Sequence, residues 1–307
     1  MNGTGIRRSD DLEAWLEYRR RHLTSTDVPA ILGLSPYSTP LGVWLEKTGH
    51  RQSVEQSNKD VLEWGSRMEP MALDWLSDET GVRFTGTDEI IQHPVHEWLC
   101  CTPDGFGHDA TGELVGAEVK APGPYMRDEW SNAVPEHAQI QAQVAAYCSG
   151  VKRTAICGVI HPRLLWRWVD LDEARMAEIV AECERFWVDH VLADEPPDPI
   201  ENARDDGFVR ELHPEDSGEI KPLSPLAIDA SYRLALVEEQ VKPLEAEVKL
   251  LKNQIKMDMG AASFGTLPGE EWAWSWCRRG DGSRVFRKVS RVPNVKENLD
   301  ARDPETE

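Results

Sequence analysis

Glu118-Val119-Lys120 closes an apolar segment that begins at Leu114, and it sets opposite charges two residues apart. Side chains alternate along a strand, so Glu118 and Lys120 share one face while Val119 takes the other. Upstream, Thr102-Pro103-Asp104-Gly105 follows the apolar and aromatic run 98–101. If that run is also a strand, Asp104 can lie beside Glu118. The chain then needs a sheet that gathers two carboxylates and an ammonium at one place.

The rest of the pattern supplies helices for such a sheet. Residues 10–21 read as a helix with Asp11 and Glu13 in the first turn and Arg19, Arg20 and Arg21 in the last, as the helix dipole favours. Short helices are expected at 28–32 and 41–47, and a long one at 61–80, ended by Gly81. Strands are expected at 82–85, 89–93, 98–102 and 114–120, with 107–112 as the turn joining the last two. A helix at 135–148, strands at 155–160 and 164–169, and a helix at 172–191 complete an α/β core with a mixed sheet flanked by helices. The Pro-, Asp- and Glu-rich stretch 194–225 reads as a linker or extended arm. The expected organisation is a main domain at 1–193, an extension at 226–295 and an acidic, disordered tail at 296–307.

Within the extension, Val237, Val241, Leu244, Val248, Leu251 and Ile255 alternate spacings of four and three, a heptad pattern. Pro243 is expected to kink or restart that helix, and the segment reads as an internal helical hairpin. Residues 271–292 alternate as a strand pair around Gly280-Asp281-Gly282, with Trp272, Trp274 and Trp276 followed by several arginines. Tryptophans at period two pack one face of a sheet, and a basic aromatic surface can also stack on single-stranded DNA.

Composition narrows the class. The net charge is −20, which disfavours loose coating of nucleic acid but permits a locally basic channel. No apolar run approaches the length of a membrane span, and residues 1–8 lack an apolar signal region. The six cysteines have no C-x-x-C spacing, and His93, His96, His108, His137 and His161 have no ligand spacing. A cytoplasmic protein with reduced thiols is the expectation (the host's cytoplasm if it is phage-encoded).

Oxygen ligands for a hard cation, next to a lysine, suit hydrolysis of a phosphodiester. Asp104 and Glu118 can supply carboxylates, Val119 a backbone carbonyl, and Glu69 a further carboxylate from the preceding helix, while Lys120 can hold the attacking water. Each feature has a plainer reading: Asp-Gly is ordinarily a turn, and charges two apart ordinarily mark a solvated strand.

The joint order Glu69, Asp104, Glu118-x-Lys120 resembles the PD-(D/E)xK nuclease pattern, and Gln143 with Tyr147 resembles the Q-x-x-x-Y motif that follows it in the RecB-like branch. Trp15-x-x-x-Arg19, Thr24-Ser25-Thr26-Asp27, the segment 31–37, Trp64-Gly65 and 101–105 resemble the YqaJ-type viral recombinases, the family that includes phage lambda exonuclease. That resemblance implies a restriction-endonuclease-like core and a Mg²⁺- or Mn²⁺-dependent 5′-to-3′ exonuclease acting on linear duplex DNA in phage-type recombination. It implies 3′ overhangs, a single-strand annealing or strand-exchange partner, and a homo-oligomeric ring. It also assigns the DNA 5′-phosphate to Arg19, Thr26 and Thr102, and a place near the metal to Gln143, with Gln139 and Gln141 as alternatives at the same spacing. An endonuclease of the same fold, or a non-catalytic recombination scaffold, are the competing expectations.

Overall fold

A computed structural model describes residues 3–51, 59–122, 126–160 and 162–290, with 59–62 described by backbone alone. The polar loop expected within 51–59 falls mostly outside that range, as do the acidic tail and His161. The chain divides into two units, Met1–Ser217 and Gly218–Glu307.

The first unit holds two sheets. One has four strands in the order β1 (Gly3–Arg7), β4 (Glu89–Gln92), β5 (Leu99–Cys101), β2 (Leu23–Thr24). The other has five: β3 (Thr85–Gly86), β6 (Gly105–His108), β7 (Leu114–Lys120), β8 (Arg153–Ile160) and β9 (Arg163–Asp170). The expected single mixed sheet is therefore two. The strands expected at 98–102 and 114–120 are not joined by a turn, because β6 intervenes. Its glycines hid it. A Cβ on Gly107 would sit 2.6 Å from the Val82 side chain and 2.8 Å from the Arg83 carbonyl, so this strand passes too close to its neighbour for any larger residue. The true turn is 109–113, where the Asp109 carboxylate accepts from the Thr111 and Glu113 amides.

Helix α4 (Lys59–Thr80) covers one face of the five-stranded sheet, packing Ala72, Leu73 and Leu76 on Val115, Ala117, Ala155 and Cys157. On the other face lie α5 (Arg127–Asn132) and α6 (Glu136–Ser149), which pack Trp130, Ala138 and Ala142 on Ile156 and Ile160. Strands β7 and β8 are parallel, so α5 and α6 form the crossover between them. Alanines along α6 let its backbone approach the sheet, which brings its polar side chains within reach of Glu118 and Lys120.

A second core joins α2 (Val28–Ile31), α3 (Pro40–Lys47), α6 and α7 (Glu173–Phe186) to β4 and β5. Part of the stretch expected as a linker, 194–225, packs against this core. Helix α8 (Ala203–Leu212) inserts Phe208 into the core. Its buried Asp205 accepts from Thr39 Oγ1 and the Ile200 amide. A Cβ on Gly42 would meet the Phe208 ring at 2.6 Å, so α3 and α8 touch where only glycine fits. The acidic, proline-rich flanks of the segment masked that one buried aromatic.

The second unit contains α9 (Pro225–Met259) and the sheet β10 (Phe264–Thr266), β11 (Ala273–Arg278), β12 (Arg284–Val289). The strand pair around 280–282 forms as expected, with β10 added beside it. The three tryptophans are half-buried. Arg284 lies 3.6 Å from the Trp276 ring centroid and Lys288 3.9 Å from that of Trp272, and Trp274 stacks on Phe286. Helix α9 runs continuously through Pro243, so the helix does not restart there as the expected helical hairpin requires. The ring removes one hydrogen bond, to the residue four positions back, on an exposed part of the helix where water can satisfy the freed carbonyl.

Candidate active site

Antiparallel pairing of β6 with β7, Gly105 opposite Ala117, sets Asp104 beside Glu118. The Asp104 carboxylate accepts from the Val119 amide at 2.6 Å. Glu118 is 2% exposed and its Oε1 accepts from Lys120 Nζ at 2.8 Å and from Gln141 Nε2 at 2.6 Å. Lys120 donates also to Gln141 Oε1 at 2.7 Å, which closes a three-membered polar ring. A buried carboxylate requires such donors, and here they come from its own strand and from α6.

The electrostatics bind Glu69 into the same place. Burial pushes the Asp104 carboxyl well above the usual range, with further upward pressure from Glu118 and Glu69. Glu69 is raised too, first by burial and then by Glu118, while Arg8 pulls it down. Burial would lower Lys120, but Glu118 and Asp104 outweigh it and hold the ammonium above its ordinary value. Behind Val119, burial, Asp104 and Glu118 push the Cys157 thiol up to about 12. Carboxylates thus crowd one volume with a single adjacent ammonium. Among the described residues no three His, Cys, Asp or Glu side chains converge tightly enough to cage a metal. Two carboxylates and a backbone carbonyl still match the usual protein share of a Mg²⁺ site, which keeps several waters.

Gln141, not Gln143, meets the cluster. Two helical residues differ by about 200° in direction, so the two amides point apart. Gln143 is buried and its carbonyl accepts from the Asp172 amide at the start of α7. Tyr147, one turn later, stacks on His93 at 4.4 Å and joins the second core. The Q-x-x-x-Y pair is a packing pair in this geometry. The sequence signal for Gln141 was present only as one of three glutamines at spacing two. His137 and Tyr37 also border the site. Their rings meet edge to face at 5.7 Å, and burial followed by the Lys120 charge lowers the His137 pKa. Gln141→Ala should reduce turnover with little change in melting temperature. Gln143→Ala should cost about 1–3 kcal/mol of stability by orphaning a backbone donor and leave turnover near wild type, which paired melting and activity measurements check.

Arg19 and Thr26 meet at a turn beside β5, and Thr102 directly follows that strand. Strand β2 pairs in parallel with β5, and the Ser25 amide donates to the Cys100 carbonyl, which brings the turn 25–27 beside the end of β5. Arg19 donates to Thr26 Oγ1 at 3.3 Å, and its guanidinium lies 4.3 Å from the Trp15 ring centroid. Lys47 clamps the arrangement from below, donating to the Arg19 carbonyl and pairing with Asp27 at 2.6 Å. Thr102 Oγ1 is buried without a hydrogen-bond partner among the described residues. Only Pro103 separates Thr102 from Asp104, so their Cα atoms lie within about 7 Å.

Residues 14–152, which contain Arg19, Thr26, Glu69, Thr102, Asp104, Glu118, Lys120 and Gln141, match the model of the YqaJ-like viral recombinase domain. The likeness covers just under half of the chain. The chain is 25% identical over 267 residues to a Bacillus subtilis (strain 168) protein named uncharacterized protein YqaJ, covering 85% of this chain and 82% of that one. That alignment exceeds the 217 residues of the first unit, so part of the second unit is shared. Among solved structures, the alkaline exonuclease LHK-Exo from Laribacter hongkongensis matches with a TM-score of 0.49 and 20% identity, covering 60% of this chain and 94% of that one. LHK-Exo in complex with dAMP matches with a TM-score of 0.50 and 18% identity, covering 66% and 98%. The matched part of the chain therefore has a mixed α/β fold like that of LHK-Exo. No described helix is long and apolar enough to cross a membrane.

Proposed function

We propose that the protein is a Mg²⁺- or Mn²⁺-dependent exonuclease that degrades one strand of linear duplex DNA from a 5′ end and leaves 3′ overhangs for recombination. The observation that carries this reading is the gathering of Asp104, Glu118 and Lys120 at one place, with the buried, unpartnered Thr102 hydroxyl two residues from Asp104. An end-directed nuclease needs both, one for hydrolysis and one for the terminal phosphate.

Asp104 and Glu118, with the Val119 carbonyl, are the residues that would hold the metal, and Glu69 adds negative charge beside them. A bound divalent ion supplies Lewis acidity at the phosphate and a water of lowered pKa. Lys120 orients that water and offsets the carboxylates. Gln141 fixes both Glu118 and Lys120 in direction. Arg19, Thr26 and Thr102 hold the 5′-phosphate, with Arg19 offering the planar donor fork that suits phosphate oxygens. Because Asp104 and Glu69 keep their protons to higher pH than ordinary carboxylates, apparent metal affinity should rise as pH is raised. Titration calorimetry with Mn²⁺ across pH checks this.

The description of the matching family model supports a role in recombination. By the same reasoning the overhang passes to a single-strand annealing or strand-exchange protein, and the protein works as a homo-oligomeric ring in the cytoplasm. End-labelled linear duplex tests the reading: nucleotides should be released only with Mg²⁺ or Mn²⁺, and covalently closed circles should stay intact. Nicked circles would establish an endonuclease instead, and turnover indifferent to metal would exclude the metal mechanism. Arg19→Ala should abolish the preference for 5′-phosphorylated over 5′-hydroxyl ends, and an unchanged preference removes Arg19 from the site.

A further inference from the structure

Helix α9 has 35 residues, and among those described only Met259 is buried. Isolated helices are marginal in water unless an apolar face is covered. Its heptad seam is uncovered: Leu234, Val237, Val241, Leu244, Val248 and Leu251 are each between 41% and 59% exposed. Leu234, Val241 and Val248 take position a, and Val237, Leu244 and Leu251 take position d. Pro243 falls at position c, away from the seam.

The charges beside the seam select an occupant. In a parallel, in-register pair, each g residue meets the next e residue of the other helix. Arg233 then faces Glu238 of the partner subunit, and Glu247 faces Lys252 of the partner subunit. Symmetry repeats both attractive pairs, and all four side chains are exposed. An antiparallel pair that places Val241 against Leu244 of the partner subunit, the register retaining most apolar layers, would instead set Glu238 against Glu245 of the partner subunit. Valine at two a positions with leucine at two d positions favours two strands over three or four. We propose that α9 docks on α9 of a second copy of this chain as a parallel, in-register, two-stranded coiled coil. This proposal is independent of the nuclease reading.

Cysteine cross-linking of the full-length protein tests it. Leu244→Cys puts a thiol at a d position, where the two copies face each other, and mild oxidation should give a disulfide-linked dimer on a non-reducing gel. Asn253→Cys, on the outward face, should not. A cross-link that reads this seam is unaffected by any association of the first unit. Failure of Leu244→Cys to cross-link, or equal cross-linking by both variants, overturns the proposal. In the second arm, Glu247→Lys should weaken self-association by roughly tenfold, equivalent to 1.4 kcal/mol. Adding Lys252→Glu to it should restore the wild-type value, because the pair is then reversed rather than lost. Sedimentation equilibrium reads both, and a double variant no tighter than the single one sinks the parallel register.

Discussion

Lys120→Ala should lower metal-dependent nuclease turnover by about 10²- to 10⁴-fold, the range for losing a positioned proton-transfer or water-orienting group, while the protein stays folded. The side chain sits at the end of β7 and bridges Glu118 and Gln141. Its removal therefore leaves the sheet intact but frees two polar groups, and it deletes the one ammonium in a volume crowded by Glu69, Asp104 and Glu118. Lys120→Arg should recover little, because a planar fork cannot replace a point charge on these two acceptors. Asp104→Ala should be as damaging to turnover by a different route: it removes a carboxylate and frees the Val119 amide. Mn²⁺ calorimetry separates the two. Asp104→Ala should lose metal affinity, whereas Lys120→Ala should retain it and lose rate. Wild-type digestion by both variants would displace the chemistry to another part of the molecule.

The largest stability effect is expected at Lys47→Ala, about 3–5 kcal/mol, because it strips one member from a buried ion pair. Lys47 Nζ is 2.6 Å from Asp27, and their side chains are 4% and 11% exposed. Thr24 donates to the same Asp27 oxygen through both its amide and its hydroxyl. Burial would raise the Asp27 pKa, yet Lys47, Arg19 and the Thr24 hydroxyl together hold it below the ordinary carboxylate value. A depressed carboxylate stabilises the fold above its unfolded pKa, and that contribution is lost as pH falls through the lower folded value. In Lys47→Ala the sign reverses: burial then dominates, Asp27 is raised, and acid relieves the penalty. The melting difference between wild type and variant should therefore be widest near neutral pH and narrow on acidification. Each kcal/mol moves the midpoint by about 2–4 °C at this size, so scanning calorimetry at two pH values resolves it. A difference independent of pH would mean that the ion pair is not the source of the loss. The double variant Lys47→Met with Asp27→Asn should recover much of the loss, since it leaves no unpaired buried charge.

How much of this was legible beforehand differs by element. Long helices announced themselves through periodicity and stops, as in α4 with Gly81 after it. Strand β7 was legible to the residue, because an apolar run ending in Glu118-Val119-Lys120 has few other conformations. Strand β6 was not, since two of its four residues are glycines whose role is to let another strand approach. Helix α8 was hidden because one buried Phe208 is a weak signal among acids and prolines. Gln141 was interchangeable with Gln143 until the orientation of α6 on the sheet was known, and the heptads of α9 said that a seam exists without saying whether this chain covers it itself.

The sequence alone determined the inventory and its order: which carboxylates, which lysine, which arginine and threonines, and on what kind of element each lies. It could do so because alternation and helical periodicity are local properties, set within a few residues. Tertiary structure decided which of those groups meet. Asp104 reaches Glu118 only because β6 pairs antiparallel with β7, and Gln141 reaches Lys120 only because α6 crosses one particular face of the sheet. Such encounters join residues far apart along the chain, and no local periodicity encodes the register or crossover that brings them together.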